Sequence, residues 1–191
     1  DVLYAGVSDD PDRADRRGQL ASYDIRDPGR NRPQLGSVEV GEPVRDILPL
    51  GGAKLLLLTR DELVEVDVAD PAQLRVLRRA AVPGQLRRLA GDPSGPGEAV
   101  FAAGSGDGLL VVDLATLAAY TPAGYGTIGH AASIAALDDR TLLVEDEGDA
   151  STDVGRLRVV DVGDPERLEV VGALPLPVDQ RALVAGDGRA V

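Results

Sequence analysis

Three groups of residues have types and spacings that can do chemistry. The stretch EDEGDASTDVG, Glu145 to Gly155, carries Glu145, Asp146, Glu147, Asp149 and Asp153 within nine residues. Calcium takes about six to eight hard oxygen ligands, and Asp146, Asp149 and Asp153 are the carboxylates such a loop would offer it. The spacing fits neither the EF-hand loop nor the glycine-rich calcium nonapeptide, so a solvated acidic hairpin tip is the competing reading. The second group is Arg45, Arg87 and Arg181, each two residues before an aliphatic residue, Ile47, Leu89 or Leu183. Guanidinium groups brought together can hold a carboxylate or phosphate. Pairing with neighbouring acids such as Asp46, or plain hydration, is the alternative. The third group is the single histidine, His130, with Ser133 as its nearest serine. A triad needs histidine beside its nucleophile, and AAGSGDG around Ser105 lacks the first glycine of a nucleophile elbow. No residue is assigned a catalytic role. Gly104, Gly106 and Gly108 lack the following helix that would bind a dinucleotide, and read instead as turn glycines.

The elements that position these residues come from a repeat. GQLASYD, DELVEVD, DGLLVVD and GRLRVVD end at Asp24, Asp67, Asp113 and Asp161, spaced 43, 46 and 48 residues apart. A leucine stands four residues before each aspartate: Leu20, Leu63, Leu109 and Leu157. The flanking residues are Tyr23, Val66, Val112 and Val160 before, and Ile25, Val68, Leu114 and Val162 after. Apolar, largely β-branched residues in this pattern predict a strand with a buried face. Asp27-Pro28, Asp70-Pro71 and Asp164-Pro165 follow three residues later, and Asp-Pro predicts that the chain turns there. Thr116 stands at that place in the third unit and can make a weaker turn of the same kind. The anchor aspartates themselves read as backbone acceptors that order the turn, rather than as a row of ligands.

Each interval holds further strand-like runs. AKLLLLT (Ala53 to Thr59), EAVFAAG (Glu98 to Gly104) and RTLLVED (Arg140 to Asp146) precede the anchor strands. Before these come VRDILPL, LRRLAGD and ASIAALD, and an outer strand such as LEVVGAL follows the turn. Four strands in about 45 residues, repeated, predict an all-β chain of four-stranded antiparallel propeller blades. The boundaries are a partial blade at 1–41, full blades at 44–83, 85–124 and 131–177, and a partial blade at 180–191, forming one domain over 1–191. An arc of a larger ring suits this count better than a closed four-bladed one, because the chain stops mid-strand and edges need protection. The start at Asp1, without methionine, reads as a cut.

GRLRVVDVGDPERLEVVG, Gly155 to Gly172, resembles the LVIVD repeat: a Gly-Leu, an apolar-apolar-Val-Asp core and a following Asp-Pro. The likeness is close at Asp161, good at Asp67 and weaker at Asp113 and Asp24. It implies a β-propeller, often in secreted or surface proteins.

Composition narrows the functions. Thirty-two acids against twenty Lys plus Arg give −12, a field that repels nucleic acid. No apolar run nears the ~20 residues that span a bilayer. Without cysteine there is no disulfide, thiolate ligand or cysteine nucleophile. With only five aromatic residues, the core must be Val, Leu and Ala. The leading expectation is a non-catalytic propeller module, secreted or at the cell surface, binding a protein or small anionic ligand without a cofactor. The alternatives are a lactonase-like propeller enzyme, with the arginines, alone or with a divalent metal such as calcium, at the channel mouth, and a purely structural arc.

Overall fold

The computed structural model describes residues 1–8, 17–26, 32–82, 85–91, 99–105, 108–123, 130–146, 155–176, 185–186 and 189–190. Every regular element among them is a β-strand, and all named strands pair antiparallel. The chain divides into two compact units, Asp1–Ala81 and Val82–Val191.

In the first unit, β1 (Val2–Ser8), β2 (Gly18–Asp24) and β3 (Gln34–Gly41) form a three-stranded sheet in chain order. A four-stranded sheet follows, also in chain order, from β4 (Asp46–Gly51), β5 (Lys54–Leu58), β6 (Glu62–Asp67) and β7 (Arg75–Ala81). Leu20 and Val40 of the first sheet share a core with Leu55, Leu57, Val64 and Val66 of the second. Successive strand residues point to opposite faces, yet Leu55 to Leu58 are all buried. Both faces of β5 are therefore covered, which explains why its sequence is a continuous rather than alternating apolar run.

Polar contacts join the two sheets of this unit. The Tyr4 hydroxyl donates to the Val68 carbonyl at 3.2 Å and the Ser22 hydroxyl to that of Pro71 at 2.5 Å. Gly36 lies so close that a Cβ there would sit 2.6 Å from the same Pro71 oxygen. Arg79 of β7 donates to the Val40 and Glu39 carbonyls of β3, at 2.7 and 3.3 Å, and to Glu62 at 3.0 Å.

The second unit repeats the plan. β8 (Gln85–Gly91), β9 (Ala99–Ser105), β10 (Gly108–Asp113) and the short β11 (Ala118–Tyr120) form one sheet. β12 (Ala131–Ala136), β13 (Thr141–Asp146), β14 (Gly155–Asp161) and β15 (Glu169–Leu176) form another. Phe101, Ala103, Leu109 and Val111 pack against Ile134, Leu142, Val144 and Val160. The Ala123 amide donates to the Glu166 carbonyl at 2.9 Å, tying the segment after β11 to the turn after β14. A last hairpin pairs β16 (Ala185–Gly186) with β17 (Arg189–Ala190), and β16 lies against β12.

Each anchor aspartate is the final residue of its strand and accepts the amide two residues on. The distances are 3.0 Å for Asp24 with Arg26, 2.9 Å for Asp67 with Ala69, and 2.8 Å for both Asp113 with Ala115 and Asp161 with Gly163. Asp70 and Asp164 of the Asp-Pro pairs do the same to Ala72 and Glu166, at 2.9 and 3.0 Å, while Asp27 lies outside the described residues. Thr116 substitutes in the third unit, accepting the Ala118 amide at a longer 3.2 Å and donating to Asp113 at 2.8 Å.

The outer strands β3, β7 and β15 share a β-bulge that β11 lacks. Leu35 on β3, Leu77 on β7 and Val171 on β15 each lie unpaired between two ladder positions, and all three are exposed. Bulges of this kind interrupt an edge ladder that would otherwise template further pairing. One expectation needs correction. Of the four repeat leucines, Leu20, Leu63 and Leu109 are fully buried, whereas Leu157 is only half-buried.

Two outcomes follow. Val160→Asp, at a fully buried position, should cost several kcal/mol, roughly 3–5, by stranding a charge, and Leu157→Asp clearly less. Asp67→Ala should cost about 1 kcal/mol, and Asp67→Asn less, because an amide oxygen makes the same turn. Urea unfolding midpoints of the four variants check both orderings.

Candidate functional site

The candidate arginines stand where the first strands of the sheets begin. The Arg45 amide donates to the Leu58 carbonyl at 2.7 Å while Asp46 pairs with Leu58 in the ladder, so two residues face one. In β8, Leu86 pairs with Gly104 and Arg88 with Ala103, leaving Arg87 as the extra residue. In β12, Ala131 pairs with Asp146 and Ser133 with Glu145, leaving Ala132 extra. The same bulge thus recurs in β8 and β12, in the column occupied by Arg87 and Ala132, while Arg45 stands at the matching place just ahead of β4. A bulge takes its residue out of the two-residue alternation and re-aims the side chain. Arg45 and Arg87 are both exposed there. Arg181 lies outside the described residues.

The acidic candidates divide differently. Strand β13 runs through Asp146, as the run RTLLVED predicts, so Glu145 and Asp146 at the head of the acidic stretch belong to a strand. Asp146 is 2% exposed, and its Oδ2 accepts from Arg158 of β14 through Nε at 2.8 Å and a terminal nitrogen at 2.5 Å. Glu145 is buried too, but adjacent strand residues project to opposite faces, and Glu145 stands in register with Ser133 and Leu157. Asp149 and Asp153 lie outside the described residues. Among the described residues, no three His, Asp or Glu side chains gather in a metal-binding group. His130 is exposed just ahead of β12, and Ser133 is buried within it.

A polar cluster absent from the sequence reading centres on Glu65. Its carboxylate, 2% exposed on β6, accepts from the Lys54 ammonium at 3.0 Å and the Arg78 Nε at 2.5 Å, with a terminal Arg78 nitrogen also in contact. Register explains the meeting: Glu65 stands opposite Leu56 on β5 and Arg78 on β7, and Lys54 is two residues along β5 from Leu56. Burial pushes the Glu65 carboxyl up, but the hydrogen bonds and charges of Lys54 and Arg78 outweigh it and hold it below the usual range. One signal was available. Two residues before the anchor the repeats carry Ser22, Glu65, Val111 and Val159, so a charge stands in a core column. At the surface, Asp24 is held at about 2, chiefly by the hydrogen bond from the Arg26 side chain.

Asp24, Glu65 and Asp146 each accept from an arginine, and Arg45 and Arg87 are exposed. Arg78→Ala leaves a buried carboxylate with Lys54 and should cost about 2–3 kcal/mol, short of the full penalty for a wholly buried pair because Arg78 is partly exposed. Because the folded Glu65 carboxyl is depressed, its stabilisation is present at neutral pH and is lost as pH falls below the ordinary carboxylate range. Melting temperatures from about pH 7 to about pH 3 should therefore fall less steeply in Glu65→Leu than in the natural chain. No protein-family model matches the chain and no curated protein matches it, so the reading of function starts from these contacts.

Proposed function

We propose that the chain is a non-catalytic β-propeller module of the LVIVD-repeat type whose sheets are blades, a binding scaffold at a cell surface or outside the cell. The observation that carries this reading is the recurrence of one strand-ending device in four successive units, with the anchor carboxylate on the amide two residues on each time. Repetition of a polar residue at one architectural position supports a scaffold, because a reaction centre needs different groups converging on one point. The secreted or surface setting rests on the family resemblance. The binding chemistry proposed for the scaffold is that of its strand starts, where Arg45 and Arg87 are exposed and where guanidinium groups suit a carboxylate or phosphate.

The test has two readouts. Calorimetry with citrate and with inorganic phosphate should detect binding that Arg45→Ala or Arg87→Ala weakens about tenfold. Chromogenic ester and lactone substrates, with and without added calcium, should show no turnover above buffer. Turnover that disappears in the same two variants would instead establish the propeller-enzyme reading.

A further inference from the structure

Of the twenty Lys plus Arg residues one is a lysine, Lys54, and it stands against a buried carboxylate. The two oxygens of Glu65 are divided between two cations. Oε1 accepts from the Lys54 ammonium at 3.0 Å, and Oε2 from Arg78 through Nε at 2.5 Å and through a terminal nitrogen. The Glu65 side chain is 2% exposed, whereas that of Lys54 is 47% exposed. One group therefore reaches from solvent to a charge in the core. Asp67, directly opposite Lys54 in the ladder, turns its Oδ1 to the Ala69 amide.

The backbone holds Lys54 at this boundary. It is the first residue of β5, just past a two-residue turn in which Gly52 and Ala53 have φ of 55° and 59°. Positive φ at both central residues is what a tight hairpin between twisted strands requires. The Ala53 carbonyl accepts the Val68 amide at 2.8 Å, fixing the turn to the end of β6. Gly51, Gly52, Ala53 and Lys54 are all exposed, so the amine is offered at a hairpin tip that a reagent or enzyme can reach. Arginine would fill the ion pair as well, and it stands at every other such position of the chain. What lysine adds is a primary amine, which acylation converts to a neutral amide.

We propose that Lys54 is an acylation site through which a modification at the surface sets the stability of the β4–β7 sheet. The acyl donor is a thioester. The ammonium first releases a proton to solvent, and its nitrogen attacks the thioester carbonyl. The C–N bond forms, the C–S bond breaks, and a second proton from the nitrogen leaves with the sulfur as thiol. The product is neutral, so Oε1 of Glu65 loses its charged partner while Oε2 keeps Arg78. Lys54 belongs to β5, Glu65 to β6 and Arg78 to β7, so a carboxylate deprived of one cation weakens the hold between all three strands. The inference concerns the first unit alone and is independent of what the scaffold binds.

Acetyl-coenzyme A is the probe. The folded natural chain is incubated with it, and anion exchange separates the product, which has lost one positive charge. Peptide mapping should place the acetyl group on Lys54, and Lys54→Arg should give no product at that position. In urea, the acetylated chain should show an unfolding constant about tenfold above that of the unreacted chain. In Glu65→Gln, which has no buried charge to strand, the same acetylation should change that constant less than about twofold. Hydrogen exchange on the natural chain needs no variant: acetylation should speed it in β5, β6 and β7 and leave β12–β15 unchanged. A Lys54 that reacts only after the chain is unfolded overturns the proposal. So does an acetylated chain as stable as the unreacted one. An equal loss in Glu65→Gln would mean that the acyl group acts by bulk rather than through the carboxylate, and overturns it too, as does exchange that rises equally in β5–β7 and β12–β15.

Discussion

One interaction recurs at the ends of β2, β6, β10 and β14: a carboxylate at the strand's last residue accepting the amide two residues on. It ends the ladder and satisfies a backbone donor that would otherwise face the turn unpaired. It also starts the reversal that places the next aspartate. In the first unit, that reversal puts the Pro71 carbonyl where Ser22 of the other sheet reaches it, at 2.5 Å. In the second unit, the turn after β14 offers the Glu166 carbonyl to Ala123. The turn therefore does more than shape a hairpin. It is the point at which one sheet grips its neighbour.

The core built around these turns is made of small aliphatic side chains, which carry no shape as distinctive as an indole ring. Specific pairing of sheets has to come from elsewhere, and much of it is polar. Tyr4, Ser22 and Arg79 reach backbone carbonyls of the facing sheet, and Gly36 permits an approach that a Cβ would block. Such contacts add modest energy each, but they are directional, and they hold one stacking geometry where Leu on Val alone would tolerate several.

Strand positions were legible because the repeat states them several times. The run Ala53 to Thr59 contains β5, Lys54–Leu58, and the anchor aspartates mark the ends of β2, β6, β10 and β14. The features that were hidden leave no trace in composition. A bulge moves Arg87 out of the alternation without altering which residues surround it. Asp146 closes the strand-like run RTLLVED, but nothing local says that it faces Arg158. Glu65 meets partners 11 and 13 residues away on two strands, a meeting that needs register to be seen. Leu157 matches its counterparts in sequence and departs from them only in what lies beside it.

A chain that says nearly the same thing four times carries a hazard in folding, since a strand can dock beside the right kind of neighbour in the wrong unit. Leu63, Val64 and Val66 would find equivalent aliphatic partners in such a mistake. Glu65 would not. Only β5 and β7 bring a lysine and an arginine to its carboxylate, and any other pairing would bury a negative charge without a partner. The buried ion cluster thus works as a serial number, making one sheet distinguishable from its copies while the chain is still sorting its strands.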